Sequence, residues 1–172
     1  IVLFTHSSHL DIPILAANLA PKSIRFGAKA ELFKIPFFGR AMSSIGTLKI
    51  HRTKRDEVLR LYKESLKNVK NGINYVLAPE GTRQNGKELG SFKTGPFIMA
   101  ISGHCPLIPV VIVGASSILP KGHLLPGWGK WRHEVTLKIL PMVSTESYTI
   151  DQRLELQEKT RDLMVKAYSP TT

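Results

Sequence analysis

The chain opens on "IVLFTHSSHLDIPILAANLA" (residues 1–20), where an apolar stretch, a polar turn and a helical pattern follow one another. "IVLF" is short and apolar without alternation, the pattern of a strand buried on both faces of a parallel sheet. Pro13 fits only the first turn of a helix, so a helix should begin near residues 10–12 and run through "ILAANLA" toward Pro21. Between the two stand His6, Ser7, Ser8, His9 and Asp11. A strand that passes through a polar turn into a helix is the opening of an α/β unit.

The same alternation continues along the chain. "SIRFGA" (23–28), "GTLKIHR" (46–52), "INYVLA" (73–78) and "LIPVVIVG" (107–114) read as further strands. "HEVTLKIL" (133–140) alternates and belongs near a sheet edge. "AELFKIPFFGRAMSSI" (30–45) reads as two short helical pieces broken at Pro36. Thr53 and Asp56 form a capping box for a helix with Val58, Tyr62, Leu66 and Val69 on one face, closed by Gly72. Further helices are expected over 94–103 and about 150–168, the latter carrying Leu156, Leu163 and Ala167 on one face. Residues 116–131 form a Pro/Gly/Trp-rich excursion. The expected fold is α/β, one domain over residues 1–172 with a mostly parallel central sheet and helices on both faces.

Composition narrows the function classes. The 24 Lys and Arg against 13 Asp and Glu give a formal charge of +11, which attracts phosphate on a nucleic acid, an anionic bilayer or a small substrate. Nucleic-acid binding would interleave basic residues with aromatic stacking platforms, and no such array is found. The single cysteine, Cys105, rules out an intramolecular disulfide and a multi-cysteine metal site; at the head of an apolar strand it reads as a buried, inert thiol. Neither G-x-x-x-x-G-K-[ST] nor G-x-G-x-x-G is present, which disfavours an NTPase or a dinucleotide fold. No apolar run reaches the roughly 18–20 residues that span a bilayer, and no signal peptide is recognisable. Ile1 already lies inside a strand pattern without an initiator Met. A natural N-terminal segment is therefore expected ahead of it, and a membrane anchor there stays open.

In an open α/β sheet, function gathers at the carboxyl ends of the strands. Three polar clusters fall there: "THSSHLD", "KIHR" and "PEGTR". In a regular helix His6 and Asp11 would differ by about 140° around the axis, so they can meet only if the chain turns between them. In a strand-to-helix turn the carboxylate could hold one ring nitrogen and leave the other free to take a proton. Alternatively Asp11 caps the helix, or Ser8 and Asp11 form a capping box. His9 reads as a solvated residue at the helix start, and Ser8 as a cap rather than a nucleophile. A metal site is not indicated, because only two residues separate the histidines where helix ligands need three. Arg52 ends a strand pattern, and Arg83 follows a turn from which its guanidinium could fork two hydrogen bonds to a phosphate. Glu80, between Pro79 and Gly81, sits where a carboxylate often ties down a turn.

Together "THSSHLD", "GTLKIHR", "PEGTR" and "LIPVVIVG" occur in the order and at roughly the separations of four blocks in the PlsC-type glycerolipid acyltransferases. The chain resembles that family over about residues 1–140, and within it the 1-acylglycerol-3-phosphate acyltransferases. The resemblance implies a catalytic pair at His6 and Asp11 and acceptor-binding residues at Arg52, Glu80, Gly81, Thr82 and Arg83, with Lys93 of "FKTG" as a further candidate for the acceptor phosphate. Pro109 matches a structural proline. Thr5, Lys49, Ala78 and Gln84 depart from the residues usual at their positions.

The implied reaction moves a fatty acyl group from a thioester to the sn-2 hydroxyl of lysophosphatidic acid. The thioester is carried by coenzyme A or acyl carrier protein, and no cofactor or metal is needed. Alternatives are acylation of glycerol 3-phosphate or another lysophospholipid, or a non-catalytic domain that binds anionic lipid. An ordinary imidazole and an alcohol differ by roughly nine pK units, so prior formation of alkoxide would cost about 12 kcal/mol. The base must therefore act while the carbon–oxygen bond forms. Such an enzyme is expected at the cytoplasmic face of an anionic membrane. The Leu124, Leu125, Trp128 and Trp131 stretch, interspersed with Lys121 and Lys130, reads either as an interfacial loop or as a loop folded over the core.

Overall fold

The computed structural model describes residues 1–19, 23–51, 55–123, 125 and 132–168. The opening apolar stretch becomes β1 (Val2–Phe4), which lies inside a six-stranded sheet. The others are β2 (Ile24–Lys29), β3 (Leu48–Ile50), β4 (Asn74–Leu77), β5 (Ile108–Val113) and β6 (Thr136–Ile139). Their spatial order is β3-β2-β4-β1-β5-β6, with every neighbouring pair parallel except β5 and β6. The helices are α1 (Asp11–Leu19), α2 (Phe38–Ser44), α3 (Arg55–Lys70), α4 (Gly95–Ser102), α5 (Ala115–Ile118) and α6 (Arg153–Ala167), with 3-10 turns at Ala30–Lys34 and Ile150–Gln152.

The two-residue period of a strand sorts the core into two layers. Val2, Phe4, Val76, Val110 and Ile112 face α1, which contributes the buried Leu15. Leu3, Leu77, Val111 and Val113 face the other way, toward Tyr62 of α3, Phe97 and Met99 of α4, and Leu156 and Met164 of α6. Helices therefore cover both faces of a mostly parallel sheet. On α6 the fully buried stripe is Leu156, Thr160 and Met164, spaced four residues apart, while Leu163 and Ala167 pack at its margin. Thr160, a polar residue, carries no apolar signal in the sequence; its hydroxyl donates to the Leu156 carbonyl at 2.7 Å and brings no unpaired group into the core.

Several element limits differ from expectation, β6 covering Thr136–Ile139 within the expected 133–140, and some expectations cannot be compared. β3 is shorter than 46–52 because Gly46 takes a φ of 72°, which turns the chain before the strand starts. The expected Thr53 cap lies outside the described residues, as do Leu124, Trp128, Lys130 and Trp131.

The topology fixes where a site can form. β1 and β4 are adjacent and parallel. Yet the chain leaving β1 goes to α1 on one face, and the chain leaving β4 goes to α4 on the other. Two adjacent strands whose connections part to opposite faces leave a crevice at their carboxyl ends.

Candidate active site

At the head of β1 the backbone continues its ladder for one more residue, with Thr5 N–H donating to the Val110 carbonyl at 3.2 Å. The Thr5 hydroxyl then stands in for a strand. It accepts the Ile112 N–H at 2.8 Å and donates to the Ile112 carbonyl at 3.3 Å. The chain can turn away at His6 without leaving either group of Ile112 unpaired.

Asp11, the first residue of α1, is fully buried, and three donors converge on its Oδ2. The amides of Ser7 and Ser8 each donate at 2.8 Å, and His6 Nδ1 at 2.9 Å. The two arrangements open at the level of sequence coexist here. The reach of Asp11 back to the Ser8 amide is one half of a capping box, and the same oxygen holds the imidazole. Ser8 Oγ accepts the Leu10 N–H at 3.2 Å and donates to the Leu119 carbonyl at 2.8 Å, so that hydroxyl is fully engaged. Because a carboxylate oxygen can only accept, Nδ1 of His6 carries a hydrogen, and in the neutral ring the lone pair then falls on Nε2. The ring packs edge-on to Phe4 with centroids 5.4 Å apart, and the side chain keeps 18% of its surface exposed.

The loop after β4 grips the same residue from the other side. Glu80 is buried; its Oε1 accepts the His6 N–H at 3.1 Å and its Oε2 accepts the Gly90 N–H at 2.8 Å. Gln84 N–H donates to the His6 carbonyl at 2.8 Å. Both backbone groups of His6 are thus held by residues 80–84. Burial pushes the Glu80 carboxyl up from the usual glutamate range, against the opposing pull of the Gly90 and His6 amides. Gly81 turns the loop at a φ of 73°, a conformation that side chains rarely adopt. Lys93 N–H closes the loop on the Pro79 carbonyl at 2.7 Å, while the Lys93 side chain is exposed. Thr82 is exposed and Arg83 half-buried.

Arg83 Nη1 is buried and has no hydrogen-bond partner among the described residues, a cost that a bound anion would remove. The guanidinium also lies within electrostatic reach of the first turn. Partial burial of His9 is the largest cause holding its imidazole below the ordinary range, followed by the charge of Arg83 and then His6, with Asp11 opposing.

The sequence did not reveal how α6 fastens this loop. Tyr168 Oη donates to the Gly86 carbonyl at 2.7 Å. Arg161 donates to the Leu89 and Gly90 carbonyls at 3.1 and 3.3 Å. Burial first, then the charges of Glu80 and Asp11, push the Tyr168 hydroxyl above its usual range. All the acceptors are backbone carbonyls, which carry no residue-type signal. Cys105 precedes β5, at the opposite end of the sheet, and burial raises its thiol. Arg52 lies outside the described residues. The sheet end therefore presents an imidazole held through Nδ1 by a carboxylate, next to a loop bearing a guanidinium whose buried Nη1 is unpaired among the described residues.

Comparison with known proteins agrees with this architecture. The acyltransferase family profile matches residues 1–113. The chain is 35% identical to the 1-acyl-sn-glycerol-3-phosphate acyltransferase of Saccharomyces cerevisiae, over 99% of this chain and 57% of that protein. It is 31% identical to the Escherichia coli protein of that name, over 95% of this chain and 64% of the other. The crystal structure of the 1-acyl-sn-glycerophosphate acyltransferase PlsC from Thermotoga maritima superposes with a TM-score of 0.75 at 28% identity, covering 97% of this chain and 64% of that one. The chain thus spans 57–64% of the length of these relatives. A matching profile across the first five strands, and a matching fold beyond them, place the chain in the PlsC-type acyltransferase family.

Proposed function

We propose that the protein transfers a fatty acyl group from a thioester to the sn-2 hydroxyl of lysophosphatidic acid, giving phosphatidic acid. The observation that carries this reading is the His6–Asp11 contact at 2.9 Å, which engages Nδ1 and leaves Nε2 to act as the proton acceptor at the carboxyl end of β1. Nε2 takes the hydroxyl proton as the acceptor oxygen attacks the thioester carbonyl. The tetrahedral intermediate then expels the thiolate, and the imidazolium returns the proton to sulfur. Asp11 holds the tautomer and stabilises the cationic ring. The step balances with the two substrates alone, the thioester being that of coenzyme A or of acyl carrier protein.

The acceptor phosphate is assigned to Arg83, whose Nη1 lacks a partner, with Lys93, Thr82 and Arg52 as further contacts. Glu80 is assigned to holding the loop rather than touching substrate, because both its oxygens are occupied by backbone amides. No helix among the described residues is long and apolar enough to cross a membrane. The proposed working place is the cytoplasmic surface of an anionic bilayer, to which the net charge of +11 would draw the chain.

Purified protein given lysophosphatidate with either acyl-CoA or acyl-carrier thioester should yield phosphatidic acid, identified by mass. His6→Ala should lower its formation by about 10²–10⁴, the usual worth of general-base assistance. Unchanged turnover by a folded His6→Ala variant would exclude the base. Lipid binding without any product from the wild-type protein would favour the silent lipid-binding domain instead.

A further inference from the structure

The connection between β2 and β3 leaves most of its large apolar side chains outside the core. It leaves the carboxyl end of β2, the same end of the sheet from which the His6–Asp11 turn departs, because β1, β2 and β4 run parallel. Its 3-10 turn and α2 fold against each other so closely that a Cβ on Gly39 would lie 2.1 Å from the Phe33 carbonyl oxygen. This packing buries Ala30, Gly39 and Met42. It leaves Leu32, Ile35, Phe37, Phe38 and Ile45 exposed, Phe37 at 85% and Ile45 at 58% of their surface.

The tip is the least protein-like part. Phe37 has φ 61° and ψ −49°, and Phe38 N–H donates to the Pro36 carbonyl at 2.7 Å, a γ-turn of the rare, strained hand. The fold holds a phenylalanine in an unfavourable backbone conformation and leaves its ring exposed, with no partner among the described residues.

Around this apolar tip the charge is one-sided. Lys29, Lys34, Arg40 and Lys49 are the cations between residues 29 and 49, and Glu31 is the one acid. Glu31 is already engaged by Lys29 at 3.6 Å. A groove of about 490 Å³ runs beside the tip, lined by Phe33, Gly39, Arg40, Ser43, Thr47 and Lys49. Apolar residues projecting from a basic collar match the depth profile of an anionic bilayer, acyl chains inside and phosphates at the rim. A second copy of the chain would bring the same positive collar against itself.

We infer that the segment 30–45, with Phe37 at its tip, is the element that docks the protein on an anionic lipid bilayer and turns the carboxyl end of the sheet toward it. The inference rests on the lipid-directed reading of the site, and it names the surface that meets the membrane.

Vesicle flotation tests it, with phosphatidylcholine mixed with phosphatidic acid against phosphatidylcholine alone. Wild-type protein should float with the mixed vesicles, and Phe37→Glu should weaken that binding about tenfold or more, as expected for removing a buried phenyl group. Turnover of a short-chain lysophosphatidate dissolved as monomers should stay at the wild-type rate in Phe37→Glu. A Phe37→Cys variant carrying an environment-sensitive fluorophore should brighten on the mixed vesicles and be quenched by brominated lipid; Cys105 is buried, which directs the label to the tip. This second measurement decides the matter if Phe37→Glu fails to fold. Unchanged flotation of Phe37→Glu together with an unquenched label would overturn the docking surface while leaving the enzymatic reading intact. Wild-type protein that ignores all vesicles would overturn it too, as would a dimer in solution that Phe37→Glu dissociates without changing flotation.

Discussion

The turn after β1 and the excursion after β2 leave the same end of the sheet and invert the usual rule of burial in opposite senses. In the first, a carboxylate, two serines and a threonine are buried at residues 5–11. In the second, large apolar side chains are exposed across residues 32–45. The first inversion is resolved in large part within the protein: Asp11 Oδ2 takes three donors and both backbone groups of His6 have partners, while Asp11 Oδ1 is buried without a partner among the described residues. The second has no resolution within the described chain, so it needs a surface from outside. Buried polar groups held by converging hydrogen bonds, as at Asp11 Oδ2, give rigidity, which proton transfer requires. Unpaired apolar surface gives adhesion. The two regions should therefore fail separately, and variants in one should leave the function of the other intact.

The sharpest break is Asp11→Asn. The side-chain oxygen of asparagine can still accept the Ser7 and Ser8 amides, so the turn should persist, but the ring at His6 loses its anionic partner. Product formation should fall by about 10²–10⁴, as when an imidazole base loses its orienting carboxylate, while flotation with phosphatidic-acid vesicles stays at the wild-type level. Initial rates and flotation on the same preparation provide the check. A loss of vesicle binding in step with activity would show that the two regions are one unit.

Glu80 probes the same side through stability. Glu80→Ala leaves two partly buried amides, those of His6 and Gly90, without their carboxylate acceptor, which should cost up to about 1–3 kcal/mol for each. Glu80→Gln keeps the shape and removes the titration. Burial raises the Glu80 carboxyl, so the folded state keeps that proton to higher pH than the unfolded chain does. The stability contributed in this way is fully present below the ordinary glutamate range and is lost as pH rises through the raised value. The stability of wild type minus that of Glu80→Gln, from urea unfolding, should therefore decline as pH rises from the ordinary glutamate range toward neutrality. A difference that grows with pH would mean that the two amides outweigh burial.

The two regions also differed in how much the sequence disclosed. The strand–turn–helix opening was legible because the apolar period changes at Thr5 and Pro13 forces a helix start. That His6 and Asp11 could meet followed from their spacing once a turn was granted. The Ser7 and Ser8 amides on Asp11, and the Gly90 amide on Glu80, were not legible, because a backbone N–H belongs to every residue but proline. Glu80 was readable as a turn tie, and the burial of both its oxygens adds the reason. In the excursion the break at Pro36 was legible, and the exposure of Ile35, Phe37 and Phe38 was not. An apolar run predicts burial, and only the fold reveals that the close approach at Gly39 turns those side chains outward.

The smallest expected effect sharpens the comparison from the far end of the chain. Tyr168, just past the last turn of α6, donates to the Gly86 carbonyl and so links the final helix to the loop that holds His6. Tyr168→Phe removes one hydroxyl and keeps the ring, at a cost of about 0.5–1.5 kcal/mol for a single hydrogen bond. The Arg161 contacts to Leu89 and Gly90 remain, so the loop should loosen locally around Gly86 rather than detach. Hydrogen exchange should then speed up at residues 85–88 and stay unchanged in segment 30–45, with a few-fold loss of turnover and no loss of vesicle binding. Exchange that accelerates equally in both segments would mean that Tyr168 supports the whole sheet end, and that the rigidity of the first region is not its own.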